Sequence, residues 1–348
     1  MRLTSIPEVQ NRDFRIDLLR VAGSFAVVVL HVSARVVITS PDVHSSAWWI
    51  GNLFDSLSRW SVPLFVMVSG ALLLSRNVEE DIFSFYRRRA TKLLPPLVFW
   101  TAFYLLIQHI GGHTLTPTAV VKSIIMGSPF SHLWYLYMIS GLYLITPFLR
   151  HIVTASSTRE LLIFITGTFT IAAIESSYSS FWGCLSTTFL SSFLPYVAYF
   201  VTGYYLYNLS DRTSRINDLL IAVFAGFLLA SGTGGLFILM GPKSWDVMYS
   251  YLNPIVIVMS LCVFRFGLNS QFLSSTTTKL LGPIAPITLG IYVIHPFFLI
   301  ALGRFGLTPF LHHPIIGIPL ISLTVFILSA TSSRLLAAIP FLRAMVKG

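Results

Sequence analysis

The segment Arg15-Ile-Asp-Leu-Leu-Arg-Val-Ala-Gly-Ser-Phe-Ala-Val-Val-Val-Leu-His-Val-Ser-Ala-Arg35 sets the solvent in which this chain folds. From residue 18 to 38 it supplies an apolar run long enough, at ~1.5 Å per residue, to cross a hydrocarbon core of about 30 Å. A secretory leader starts in a similar way, but its apolar core is shorter and ends at a small-residue cleavage site. This run holds Arg20 and His31 and offers no convincing site of that kind, so it is expected to stay in the mature protein.

Comparable runs recur to the end of the 348 residues, near 18–38, 58–74, 93–110, 133–149, 161–175, 189–207, 219–240, 249–266, 284–302 and 314–333. Composition agrees: 55% of residues are hydrophobic and 10% charged, with mean hydropathy +0.77. A soluble domain carries roughly 25% charged residues, so a water-soluble enzyme is excluded. The expected fold is all-α, a polytopic membrane bundle of about ten transmembrane helices with both termini cytoplasmic. On that topology only Arg35, Arg59, Lys122, Lys243 and Arg304 fall outside, against 18 of the 23 Lys and Arg inside. The net charge of +10 thus reads as membrane orientation and not as nucleic-acid binding. Cys184 in a loop and Cys262 in a span have no ligand spacing and predict neither metal nor disulfide. The longest connection, about 111–132, carries His113, Lys122 and His132. One membrane domain, 1–348, is therefore expected, with cytoplasmic segments 1–17 and 334–348 and no appended soluble domain.

The first run also carries a polar stripe. Asp17 and Arg20 are three apart, His31 and Arg35 four apart, and Arg20 and His31 eleven apart, close to three whole helical turns. Arg20 and His31 then lie on one face, roughly 16 Å apart along the axis. Charged residues at mid-membrane cost about 2.5–3.5 kcal/mol on insertion scales and normally face a bundle interior or a wet cavity. Two readings fit Asp17 and Arg20: a functional pair, or an ion pair that anchors the helix at the membrane edge. His31 has one donor and one acceptor to satisfy, and it is read either as a packed core histidine or as a proton-transfer group.

Five motifs in order resemble the acyltransferase-3 family of integral membrane acyltransferases. They are the Arg20/His31 pair separated by ten residues, Ser58-Arg-Trp-Ser-Val-Pro-Leu-Phe-Val-Met-Val-Ser-Gly70, Phe85-Tyr-Arg-Arg-Arg-Ala-Thr-Lys-Leu-Leu-Pro-Pro96, His132-Leu-Trp-Tyr-Leu-Tyr137, and Leu289-Gly-Ile-Tyr-Val-Ile-His-Pro296. The third departs from the family's Arg-x-x-Arg, reading Arg89-Ala-Thr-Lys92. Lysine keeps the charge and loses the planar fork that grips phosphate bidentately. The nearest subgroup resembled is the short, single-domain O-acetyltransferases of enteric bacteria that decorate surface polysaccharides in the inner membrane.

The resemblance implies acetyl transfer, or transfer of a similar short acyl group, from acyl-CoA to a glycan or lipid-linked glycan hydroxyl. His31 would be the general base, Arg20 would stabilise negative charge or grip the donor's pantetheine end, and Asp17 would hold Arg20. Acetyl-CoA is then a co-substrate, with no tightly bound cofactor and no metal. Arg89 and Lys92, on one helix face, and Arg88 beside them would meet the donor's phosphates, although positive-inside anchoring accounts for most of that cluster equally well. Arg59, Trp134, Tyr135 and His295 are candidate acceptor contacts. For each an ordinary role competes: pairing with Asp55, an aromatic belt, or satisfaction of backbone freed by Pro296. No Gly-x-Ser-x-Gly, His-Glu-x-x-His or phosphate-loop motif occurs. The rival reading is a transporter or lipid-linked glycan flippase that uses the stripe as a proton or headgroup path.

Overall fold

The computed structural model describes residues 12–39, 42–75, 80–182, 188, 190–209, 216–241, 244–269 and 275–347. Arg2, Arg76, Cys184, Arg212, Arg215 and Lys243 lie outside the described residues. Every described regular element is helical and no described residue is in a strand. The helices are α1 (Phe14–Thr39), α2 (Ser46–Ser58), α3 (Ser61–Leu74), α4 (Ile82–Ile110), α5 (Pro117–Ile125), α6 (Trp134–Ala155), α7 (Thr158–Trp182), α8 (Val197–Asn208), α9 (Ile216–Met240), α10 (Trp245–Tyr249), α11 (Pro254–Leu268), α12 (Ser275–Ile284), α13 (Thr288–Arg304), α14 (Pro314–Ala338) and α15 (Arg343–Val346). Among the described residues nine stretches are long and apolar enough to span a membrane.

The tenth expected crossing, 189–207, is not one of the nine. Its helix is α8, 12 residues long and so about 18 Å, preceded by a 3-10 turn over Leu194–Tyr196. Side-chain contacts fix both of its ends. Tyr196 packs on Trp134 at the start of α6, while Asn208 donates to Ser75 just past α3 and the Tyr207 hydroxyl donates to Asp13 ahead of α1.

A short helix needs a close partner, and α8 has one in α3. A Cβ built on Gly70 would stand 1.8 Å from the Phe200 carbonyl oxygen, and one on Gly203 2.0 Å from that of Met67. Backbone meets backbone at this crossing, the small-residue packing by which membrane helices gain contact without a hydrophobic driving force. Gly203→Ala is expected to lower stability by about 1–3 kcal/mol, the range for overpacking. Thermal unfolding in detergent checks this against Gly235→Ala, where the added methyl meets nothing within 4 Å.

The second expected span also differs. It starts at Ser46 instead of 58 and is broken at Arg59 and Trp60. Pro63 explains the break, because it lacks the N–H that would bond the carbonyl of Arg59 and its ring clashes with that carbonyl. Arg59, expected near the outer end, is therefore midway along a spanning stretch and largely buried. Helix α1 sits centrally, packed against α2, α3, α11, α12, α13 and α14. Within the bundle, hydroxyls of Ser33, Thr146, Thr202, Thr233 and Ser260 bond the carbonyl four residues back, which satisfies them where lipid offers no partner.

Candidate active site

One end of α1 opens into a cavity of about 590 Å³. Its charged wall is Arg12, Asp13, Asp17, Arg20, Arg89 and Lys92, and its deeper wall includes Phe65, Ser69, Tyr135, Tyr143 and Tyr292. The size lies within the range of small-molecule sites, roughly 300–1,000 Å³. Asp17 and Arg20 from α1, Arg89 and Lys92 from α4, and Tyr135 from α6, which the sequence places among the acceptor contacts, thus line one space. Arg89 and Lys92 reach it together because they sit one turn apart on α4, and the Arg89 guanidinium is held near the rings of Phe85 and Tyr143.

Two expected roles at this mouth are corrected. Asp17 does not hold Arg20: its carboxylate takes Nε of Arg12 at 2.5 Å, and Arg12 also donates to the Gly282 carbonyl at 2.6 Å, tying α1 to α12. Among the described residues no ion pair includes Arg20, so its guanidinium is left to the cavity. Arg88 does not line the cavity; it is 53% exposed and paired with Glu80. Glu80 also takes Arg150 at 2.9 Å, and Arg150 donates to the Leu73 carbonyl, so this pair links α4 and α6 to the end of α3. At the rim, Asp13 keeps its charge. Burial pushes its carboxyl up from the usual 3.8, but hydrogen bonds and charge from Arg15, with the Tyr207 hydroxyl, more than offset this and hold it lower.

His31 lies deeper and is not in the cavity wall. Phe65, Tyr135 and Tyr292 form an aromatic layer between the two, with Tyr135 and Tyr292 rings 5.4 Å apart and Phe65 beside α1 at Gly23. Beyond that layer three imidazoles gather. The His31 and His295 centroids are 4.9 Å apart and those of His132 and His295 5.7 Å apart. His295 is 0% and His132 1% exposed. The Tyr292 hydroxyl donates to the His132 carbonyl, which ties the loop before α6 to α13, and Tyr104 donates to the Val293 carbonyl, which ties α4 to α13. Sequence reasoning placed His132 in an external loop and gave it no role. The signal was its place in the His132–Tyr137 motif, next to a helix whose aromatic residues turn inward.

Arg59 and Asp55 form an ion pair at 2.5 Å, with Asp55 0% exposed. The Arg59 guanidinium lies 4.0 Å from the Tyr249 ring centre and donates to the Tyr249 carbonyl. Tyr249 in turn donates to Asn52, which donates to the Ala230 carbonyl. Trp134 stacks on Tyr251, whose ring also faces Arg59, so Trp134 belongs to this group and Tyr135 to the cavity. Arg35 stands one helical turn beyond His31 on α1. Arg35 is held by the Leu299 carbonyl near the end of α13.

The described residues form a membrane helix bundle with a charge-lined cavity at one end and a partly buried histidine farther along α1. The acyltransferase-3 family model, an acyltransferase domain, matches residues 13–334, and the chain belongs to that family. It is a multi-pass membrane acyltransferase. No curated protein and no solved structure matches the chain.

Proposed function

We propose that this acyltransferase moves an acetyl or similarly short acyl group from acyl-CoA to a hydroxyl of a cell-surface or lipid-linked glycan in a bacterial inner membrane. The observation that carries the reading is the cavity in which Arg20, Arg89 and Lys92 converge without an acidic partner at Arg20. Several cations converging from two helices suit the 3′-phosphate and pyrophosphate of coenzyme A. Donor is a co-substrate here, and none of the steps uses a bound cofactor.

The chemistry follows from the placement. His31 takes the proton of the acceptor hydroxyl as its oxygen attacks the thioester carbonyl carbon. The tetrahedral intermediate collapses, the carbon–sulfur bond breaks, and the imidazolium returns the proton to the thiolate. Arg20 is roughly 16 Å from His31 along α1, so it serves the donor and not the oxyanion. The pantetheine arm spans that distance past the Phe65, Tyr135 and Tyr292 layer.

Arg89→Ala and Lys92→Ala are each expected to weaken coenzyme A binding by roughly 10–100-fold, the worth of a charged hydrogen bond. Arg88→Ala, on the Glu80 pair, is expected to stay within about twofold. Calorimetry in detergent measures all three, and equal affinities throughout would contradict the assignment. Inside-out membrane vesicles supplied with acetyl-labelled acetyl-CoA test the function itself. Label in the glycan fraction is expected; movement of unlabelled glycan with no label transferred would favour the transporter.

A further inference from the structure

A general base needs its second ring nitrogen held, because that bond fixes the tautomer and steadies the imidazolium when the proton arrives. A carboxylate usually does this. Here no carboxylate is free to do so: Asp17 lies about 21 Å away along α1 and pairs with Arg12, Asp55 is taken by Arg59, and among the described residues no ion pair includes His31. His295 stands in that place. Its Nδ1 faces the Ile291 carbonyl at 3.3 Å, which assigns the proton to Nδ1 and leaves Nε2 as a lone-pair acceptor. Nε2 is fully buried and has no hydrogen-bond partner. The His31 and His295 centroids are 4.9 Å apart with their planes tilted by 38°, and no hydrogen bond joins the two rings here, so the bond forms by a small ring rotation. Such bonds are often long before substrate binds and tighten in the reacting complex.

We propose that His295 is the positioning residue of the base: its Nε2 accepts the N–H on the ring nitrogen of His31 that faces away from the acceptor hydroxyl. His295 stays neutral throughout, and the proton taken by His31 goes to the thiolate. One lone pair serves one donor, and His31 is nearer to it than His132, whose ring is 5.7 Å away. The titratable and charged groups around the pair are Arg35 on α1, Arg59 at the α2–α3 break, Tyr292 on α13, and His132 and Tyr104 from the α6 and α4 sides. The proposal rests on the reading of His31 as base.

The test uses full-length protein in detergent and diethyl pyrocarbonate, which acylates neutral imidazole. Mass spectrometry of the peptide containing His31 gives its rate against pH. His295→Leu is expected to slow acylation of His31 about tenfold, the worth of one hydrogen bond of this kind, and to move the pH midpoint. His295→Gln, whose amide oxygen accepts an N–H, is expected to restore most of the rate, and His132→Gln to leave it unchanged. Retained coenzyme A affinity certifies the fold, and His295→Phe replaces the leucine variant if that one does not fold. An unchanged His31 rate and midpoint in His295→Leu, or a loss caused by His132→Gln instead, overturns the proposal. Acyl transfer that survives His31→Ala would sink the reading of the base and is a separate result.

Discussion

His31→Ala is expected to lower acyl transfer by roughly 10²–10⁴-fold, the contribution of a positioned general base. Affinity for acetyl-CoA should change by no more than about twofold, because distant sites behave additively. The charged wall of the cavity is roughly 16 Å from His31 along α1 and shares no contact with it. Coenzyme A release with acceptor present, set beside donor binding, separates the two effects. Loss of both together would place His31 in the donor site or in the fold. Loss of turnover alone is the signature of a base.

Asp55→Ala is expected to have the largest effect on stability. The pair with Arg59 is enclosed, and removing one partner of a buried pair costs about 3–5 kcal/mol because the other charge is left uncompensated. Arg59 would keep the Tyr249 ring and carbonyl and lose its counter-charge. The double variant Asp55→Ala/Arg59→Met is expected to recover a substantial part of that loss, since no orphaned charge remains. Unfolding temperature in detergent, together with the yield of inserted protein, reads both. Equal stability of the single and double variants would show that the pair is not shielded from water.

The parts legible in the sequence are those encoded by local pattern. The run from 18 to 38 is apolar at bilayer length, Arg20 and His31 share a helix face, and Arg89 and Lys92 sit one turn apart; each keeps its place in the folded chain. What escaped reading depends on contacts between distant residues. Ser46–Ser58 holds Asn52, Asp55, Ser56 and Ser58 and looks like an outer connection, yet it forms the first half of a spanning stretch. Asn52 is satisfied by Ala230 and Tyr249, 178 and 197 positions away, which no hydropathy window contains, while Asp55, Ser56 and Ser58 find partners four residues along the chain. Asp17 was assigned to Arg20 by helix spacing, but Arg12, five residues before it, turns back and takes the carboxylate. The approach of His132 and His295 to His31 likewise depends on α13 meeting the loop before α6 through Tyr292 and meeting α4 through Tyr104. The stretch 189–207 reads as a full span because composition does not register that its helix starts only at Val197, after a 3-10 turn, and is 12 residues long.

His31 is proposed to carry out acyl transfer to a glycan hydroxyl. The acetyl content of surface glycans measures this directly, in a deletion strain complemented with wild-type or His31→Ala protein at equal membrane levels. Ester-linked acetyl restored by the wild type and absent with His31→Ala is the predicted result. Equal acetyl content in the two complemented strains would contradict it.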